Sequence, residues 1–120
     1  MDIIRKILNK YKNNAIIIFY EGNSICYLNT KLILLSNRIK ENPNDDNIFE
    51  MLHEIGHIMN NDINMKICEG EYYATVWAIK ESKKYKLNIS NECKKMYQNY
   101  INKYARYRKT ISINDVILEW

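Results

Sequence analysis

Glycine and proline are scarce in this 120-residue chain, at three and one residues, and no linker, low-complexity tract or internal repeat interrupts it. A single domain spanning residues 1–120 is therefore expected, large enough for one hydrophobic core but not for two. Cysteine is limited to Cys26, Cys68 and Cys93, an odd number at no paired spacing. That count argues against a disulfide framework and for free thiols in a reducing compartment. Long apolar runs are missing as well, since nothing approaches the roughly 20 residues needed to span a bilayer. The segment Ala15 to Tyr20 follows basic residues as a signal sequence would. It is too short for a secretory h-region, and no small-residue cleavage site follows it. A cytoplasmic protein without membrane partners is the expectation. Histidine is scarcest of the chemically versatile residues: there are two, and both fall within five positions of each other.

What the chain does contain is an ordinary soluble balance, 47% hydrophobic and 27% charged. Its formal charge of +4 is unevenly placed. Between Lys80 and Lys109 ten Lys and Arg stand against Glu81 and Glu92, a net +8 for that stretch. Such a run usually forms the solvated face of surface helices. The functional alternative is a surface for an acidic partner, protein or nucleic acid.

Periodicity predicts an α+β domain: a small antiparallel sheet of about three strands packed with four to five helices. Ile3, Ile4, Ile7, Leu8 and Tyr11 recur at helical spacing and predict a first amphipathic helix. Extended segments follow at Ala15–Tyr20, Ser24–Leu28 and Lys31–Leu35, separated by turn chemistry at Glu21-Gly22-Asn23, and a meander is the simplest pairing. The loop from Glu41 to Asp46 ends in helix-capping residues, and a second helix is expected from about Asp46 to Asn60. That helix has two apolar faces, which places it in the middle of the domain. A third helix is predicted over about Glu69–Lys84 and a fourth over about Asn91–Tyr107. Cys93, Met96, Tyr97, Tyr100, Ile101 and Tyr104 are in helical register on the fourth and read as core. A capping-box-like start at Ser112-Ile113-Asn114-Asp115 predicts a last short helix through Trp120.

The two histidines lie in the run His53-Glu54-Ile55-Gly56-His57. Residues four apart on a helix sit one turn above each other, so two imidazoles at this spacing can close on one Zn²⁺. The intervening Glu54 then stands where a carboxylate can take a proton from a water polarised by the metal, the chemistry of a zinc hydrolase. The flanking residues Met51, Leu52, Ile55, Gly56, Ile58 and Met59 are all uncharged, as suits a helix buried beside a metal. The bland alternative is a helix carrying two partly exposed histidines. Gly56 costs about 1 kcal/mol of helix propensity relative to alanine, and close approach of another backbone would offset that cost.

With both histidines used, a third ligand must be a carboxylate or a thiolate. Asp62, Cys68, Glu69 and Glu71 follow the motif closely enough to be candidates. Glu71 heads a narrow stripe with Ala74 and Ala78, and small residues let two helices come near. Glu69 is expected in a first helical turn, where a carboxylate favours the macrodipole without any metal. The stripe favours Glu71 and leaves the other three open.

These elements resemble the ImmA/IrrE family of zinc metallopeptidases found in prophages and integrative elements. The order of a small sheet, a helix with HExxH and a helix with a pattern near E-x-x-A-N-x-F-A is matched from about Ala15 to Lys84. The last pattern reads here Glu71-Tyr72-Tyr73-Ala74-Thr75-Val76-Trp77-Ala78, with Thr75 where Asn or Asp is usual and Trp77 where Phe is usual. The resemblance implies a minimal zincin-like domain, Zn²⁺ held by His53, His57 and Glu71, and Glu54 as general base. It also implies cleavage of a helix-turn-helix transcriptional repressor. Two other classes fit less of the chain. A catalytically silent zinc protein that binds a repressor or host protein would have no need of Glu54. A DNA-binding accessory protein would need a reading helix, and the basic C-terminal half has no helix-turn-helix signature.

Overall fold

The structure, a computed structural model, describes the backbone of residues 2–60, 67–108 and 117–120, with the side chains of these residues except 67–68 and 104–108. Its elements are α1 (Ile3–Tyr11), β1 (Ile16–Tyr20), β2 (Ile25–Tyr27), β3 (Leu32–Ser36), α2 (Asn37–Glu41), α3 (Asp45–Met59), α4 (Ile67–Lys84) and α5 (Asn91–Arg108). The architecture is α+β, a three-stranded sheet packed with five helices. Among the described residues no helix is long and apolar enough to cross a membrane.

Local chemistry explains where the helices start. Asp2 caps α1 by accepting a hydrogen bond from the Ile4 amide at 2.9 Å, and Ile4, Ile7 and Tyr11 then form its buried face. Ser36 caps α2, a one-turn helix that the sequence reading did not anticipate. Asn44 caps α3 through the Asn47 amide at 2.8 Å, and Asp45 and Asp46 fill its first turn, where carboxylates suit the macrodipole. The same two aspartates accept hydrogen bonds from Asn88 and Ser90, which ties the start of α3 to the loop between α4 and α5.

The sheet differs from the expected antiparallel meander. Its order is β1-β3-β2: β1 runs parallel to β3, and β2 antiparallel to it. The physical reason lies in the third strand. Leu32-Ile33-Leu34-Leu35 is a continuous apolar run, Ile33 and Leu35 are fully buried, and such a strand belongs at the centre of a sheet. β1 exposes Ile16 and Ile18 and sits at one edge; β2 exposes Ile25 and Tyr27 and sits at the other.

α3 is the central helix, as its two apolar faces predict. Phe49, Met51, Leu52 and Ile55 are buried in one core with Ile7, Ile33, Leu35, Ile39 and Ile101. In α5, of the described members of the expected core set, Cys93, Tyr97 and Ile101 are buried and Met96 and Tyr100 are exposed. The Tyr104 side chain lies outside the described residues. So does Ser112-Ile113-Asn114-Asp115, and the described end of the expected last helix, residues 117–120, is not helical. There the Leu118 amide donates to Gln98 Oε1 at 2.7 Å, and burial of Leu118 takes precedence over a helical turn. Neither Cys26 nor Cys93 forms a disulfide.

Candidate metal centre

One turn of α3 separates His53 from His57, whose ring centroids are 5.0 Å apart. The turn between them contains Gly56, and its bare Cα is what α4 rests against. A Cβ placed on Gly56 would lie 2.7 Å from the Ala74 carbonyl oxygen and 3.1 Å from the Ala74 Cα. Ala74 and Ala78 are themselves completely buried, so the helices meet backbone to backbone. Asn60 fastens the contact by donating from Nδ2 to the Gly56 carbonyl at 2.7 Å and to the Tyr73 carbonyl at 3.2 Å.

This approach brings Glu71, one turn before Ala74, under both imidazoles. Glu71 Oε2 is 3.3 Å from His53 Nε2, and Glu71 Oε1 is 3.5 Å from His57 Nε2. One donor atom from each residue lies within 4.8 Å of the others, and among the described residues this is the group of His, Cys, Asp and Glu side chains able to hold a metal. Donors tetrahedrally placed at zinc bond lengths of about 2.1 Å would be about 3.4 Å apart, so the spacing suits the ion. Two imidazoles and a carboxylate are a donor set that Zn²⁺ accepts. A second observation points the same way. His53 Nε2 and Glu71 Oε2 are buried and form no hydrogen bond, although they face each other. Without hydrogen-bond geometry the 3.3 Å ion pair leaves lone pairs on both atoms that a cation between them would satisfy.

The electrostatics without metal are those of a buried ion pair. For His53, burial opposes the charged form, but the Glu54 and Glu71 carboxylates outweigh it and raise the pKa from 6.5 to about 9. For Glu71, burial also favours the neutral form, and the two imidazoles overrule it, taking the pKa down to about 2. Glu54 Oε1 lies 3.7 Å from His53 Nδ1, a charge contact longer than a hydrogen bond.

Of the other candidate ligands, Glu69 falls in the first turn of α4 and is not part of the group. Asp62 and the Cys68 side chain lie outside the described residues. Thr75 is fully buried, and its hydroxyl donates to the Glu71 carbonyl at 2.7 Å. That bond runs back one turn to the residue that faces the histidines.

The site opens into a cleft of about 480 Å³. Its floor is Glu50, His53 and Glu54 of α3 with Glu71 of α4; one wall is Asn23, Ser24 and Arg38, and the other is Met96, Tyr97 and Tyr100 of α5. Arg38 grips both Glu50 oxygens at 2.8 and 3.0 Å and Asn47 Oδ1 at 2.8 Å. Ser24 donates to Glu50 at 2.5 Å and accepts from the Ser36 amide at 3.0 Å. This network sets the β2 end of the cleft, and sequence reading missed it. The available signal was Glu50, four residues before Glu54 on the same face of α3. The α5 wall was also missed. Tyr97 packs on the His53 ring at 5.1 Å between centroids and on Phe49 at 4.9 Å, and Trp120 closes the stack against Phe49 at 5.0 Å. Nothing in the local pattern of α5 announces that role.

Comparison with protein-family models, with curated proteins and with solved structures found no match.

Proposed function

We propose that this chain is a cytoplasmic zinc-dependent endopeptidase of the ImmA/IrrE kind, and that its substrate is a helix-turn-helix transcriptional repressor. The observation that carries the reading is the convergence of His53 Nε2 and His57 Nε2 on the Glu71 carboxylate, with Glu54 beside them at the floor of a cleft. The repressor as substrate rests on the resemblance of the HEIGH and Glu71–Ala78 segments to that family.

His53, His57 and Glu71 would hold the ion. Zn²⁺ in such a site supplies Lewis acidity, which polarises a peptide carbonyl and acidifies water. Glu54 would act as the base, accepting a proton from the attacking water and returning it to the leaving amine. Tyr97 packs at a tilt against the His53 ring and is itself held by an edge contact with Phe49. The substrate would lie in the cleft between Asn23–Ser24 and α5. β2 follows Ser24 directly and pairs only with β3 among the described strands, so its outer edge can take a substrate backbone as an added strand.

The test is co-expression with a helix-turn-helix repressor, with fragments identified by mass spectrometry. Wild-type protein should cut the repressor once or at a few sites. Glu54→Gln keeps the shape and the metal ligands but lacks the base, so it should retain zinc and leave the repressor whole. Equal cutting by that variant would remove Glu54 from its role.

A further inference from the structure

Helix α5 presents two unlike faces. Cys93, Tyr97 and Ile101, each one turn from the next, are buried. Met96 and Tyr100, also one turn apart, are 56% and 42% exposed although both are large and mostly apolar. With Glu92, Lys95, Asn99 and Lys103, these two line a shallow, open groove of about 460 Å³. All six side chains come from one face of α5, so the groove follows the helix for about 17 Å at 1.5 Å per residue. Met96 and Tyr100 also line the cleft that holds His53, Glu54 and Glu71. The groove is the continuation of that cleft over α5.

Charge is distributed along it in a definite order. Lys95 adjoins Met96, and Lys103 stands about one turn beyond Tyr100, so two ammonium groups bracket the apolar pair. Glu92 lies outside the bracket, in the first turn of the helix. An apolar floor between cations complements a peptide that carries an apolar side chain between acidic ones. A nucleic acid backbone fits less well, because the groove runs into a cleft floored by Glu50, Glu54 and Glu71. Methionine, being flexible and polarisable, suits such a surface for side chains of varied shape.

We propose that this face of α5 is a docking groove for the polypeptide substrate. It takes a segment to one side of the bond held in the cleft, with an apolar side chain on Met96 and Tyr100 and acidic side chains on Lys95 and Lys103. The proposal rests on the peptidase reading for its occupant and on the continuity of groove and cleft for its position.

The experiment uses two fluorescein-labelled synthetic peptides with a Leu-Phe centre, one flanked by glutamates and the other by lysines. Anisotropy is measured against the zinc-loaded Glu54→Gln chain. The glutamate peptide should bind more tightly by roughly tenfold, the sum expected from two exposed charge contacts. Lys95→Glu/Lys103→Glu should reverse the order, and Met96→Ser/Tyr100→Ser should weaken both peptides. No preference between the peptides, or a preference that survives the charge reversal, overturns the groove. The glutamate peptide is also incubated with zinc-loaded wild-type protein and the products are weighed. Groove-dependent binding upholds the groove whether or not the peptide is cut, and the repressor assay with Glu54→Gln decides the peptidase reading separately. Cutting at equal rates by wild type and the charge-reversed variant overturns the groove and upholds the peptidase.

Discussion

Gly56 and Ala74 are in backbone contact, and that contact sets the distance across which Glu71 reaches two histidines. The missing side chain at Gly56 leaves room for an Ala74 carbonyl oxygen that would lie 2.7 Å from any added Cβ. Substituting alanine there would ordinarily gain about 1 kcal/mol of helix propensity. Here the methyl meets a rigid backbone, and overpacking of this kind costs about 1–3 kcal/mol. Gly56→Ala should therefore lower stability in urea unfolding and also weaken zinc binding, because α4 must move away with Glu71. A more stable variant with unchanged zinc affinity would show that the contact is not a constraint.

Metal uptake should release protons in a defined pH range. His53 in the metal-free fold has its pKa raised from 6.5 to about 9, so a proton competes with zinc throughout that interval. Zinc affinity should rise with pH up to about 9 and then level. The metal-free fold should show the opposite slope. The raised His53 value contributes stability that is fully present below 6.5 and is lost as pH climbs through about 9. The lowered Glu71 value contributes stability that is present above 4.5 and is lost as pH falls through about 2. This pair therefore stabilises the metal-free fold most between 4.5 and 6.5. Calorimetry in buffers of different ionisation enthalpy counts the released protons, and thermal melts with and without chelator give the two slopes.

Away from the cleft, α1 is fastened to α4 by one buried carboxylate. Tyr11 donates to Glu81 Oε1 at 2.6 Å, and Lys84 approaches Glu81 Oε2 at 2.6 Å. Burial raises the Glu81 pKa, but Lys84, Tyr11 and Lys10 together bring it below the usual carboxylate value. Tyr11→Phe removes one hydrogen bond to a charged acceptor, a loss of about 1.5–3 kcal/mol. Its melting temperature should fall while zinc affinity stays at the wild-type level, since the two clusters share no residue. Because the Glu81 pKa is lowered on folding, its contribution exists above the unfolded value and fades on acidification.

Much of this was legible wherever the determinants were close together in the chain. The capping residues at the end of the Glu41–Asp46 loop, the period of Ile4, Ile7 and Tyr11, and the His53–His57 spacing are local features, and the helices follow from them. Glu71 was legible for a similar reason: its alanine stripe, Ala74 and Ala78, is on the same helix and predicts which face meets α3. Strand order was not, because parallel pairing of Ile16–Tyr20 with Leu32–Ser36 depends on which strand can be buried on both sides. That is a property of the packed molecule, hinted at only by the unbroken run Leu32–Leu35. Helix α5 illustrates the other limit. Its apolar residues were all in register, but only the docked fold separates Tyr97, buried against His53, from Met96 and Tyr100, left facing the cleft.

The central claim is that one metal ion is held by His53, His57 and Glu71, and zinc titration against a competing chelator tests it most directly. Wild-type protein should bind one Zn²⁺ per chain. Loss of an outer-shell partner alone weakens such sites about 10–100-fold, so Glu71→Ala, which removes an inner ligand, should weaken binding by more than that. Glu69→Ala, two residues away in the first turn of α4, should titrate like wild type. Small and equal effects from the two substitutions, or a larger one from Glu69→Ala, would contradict the account.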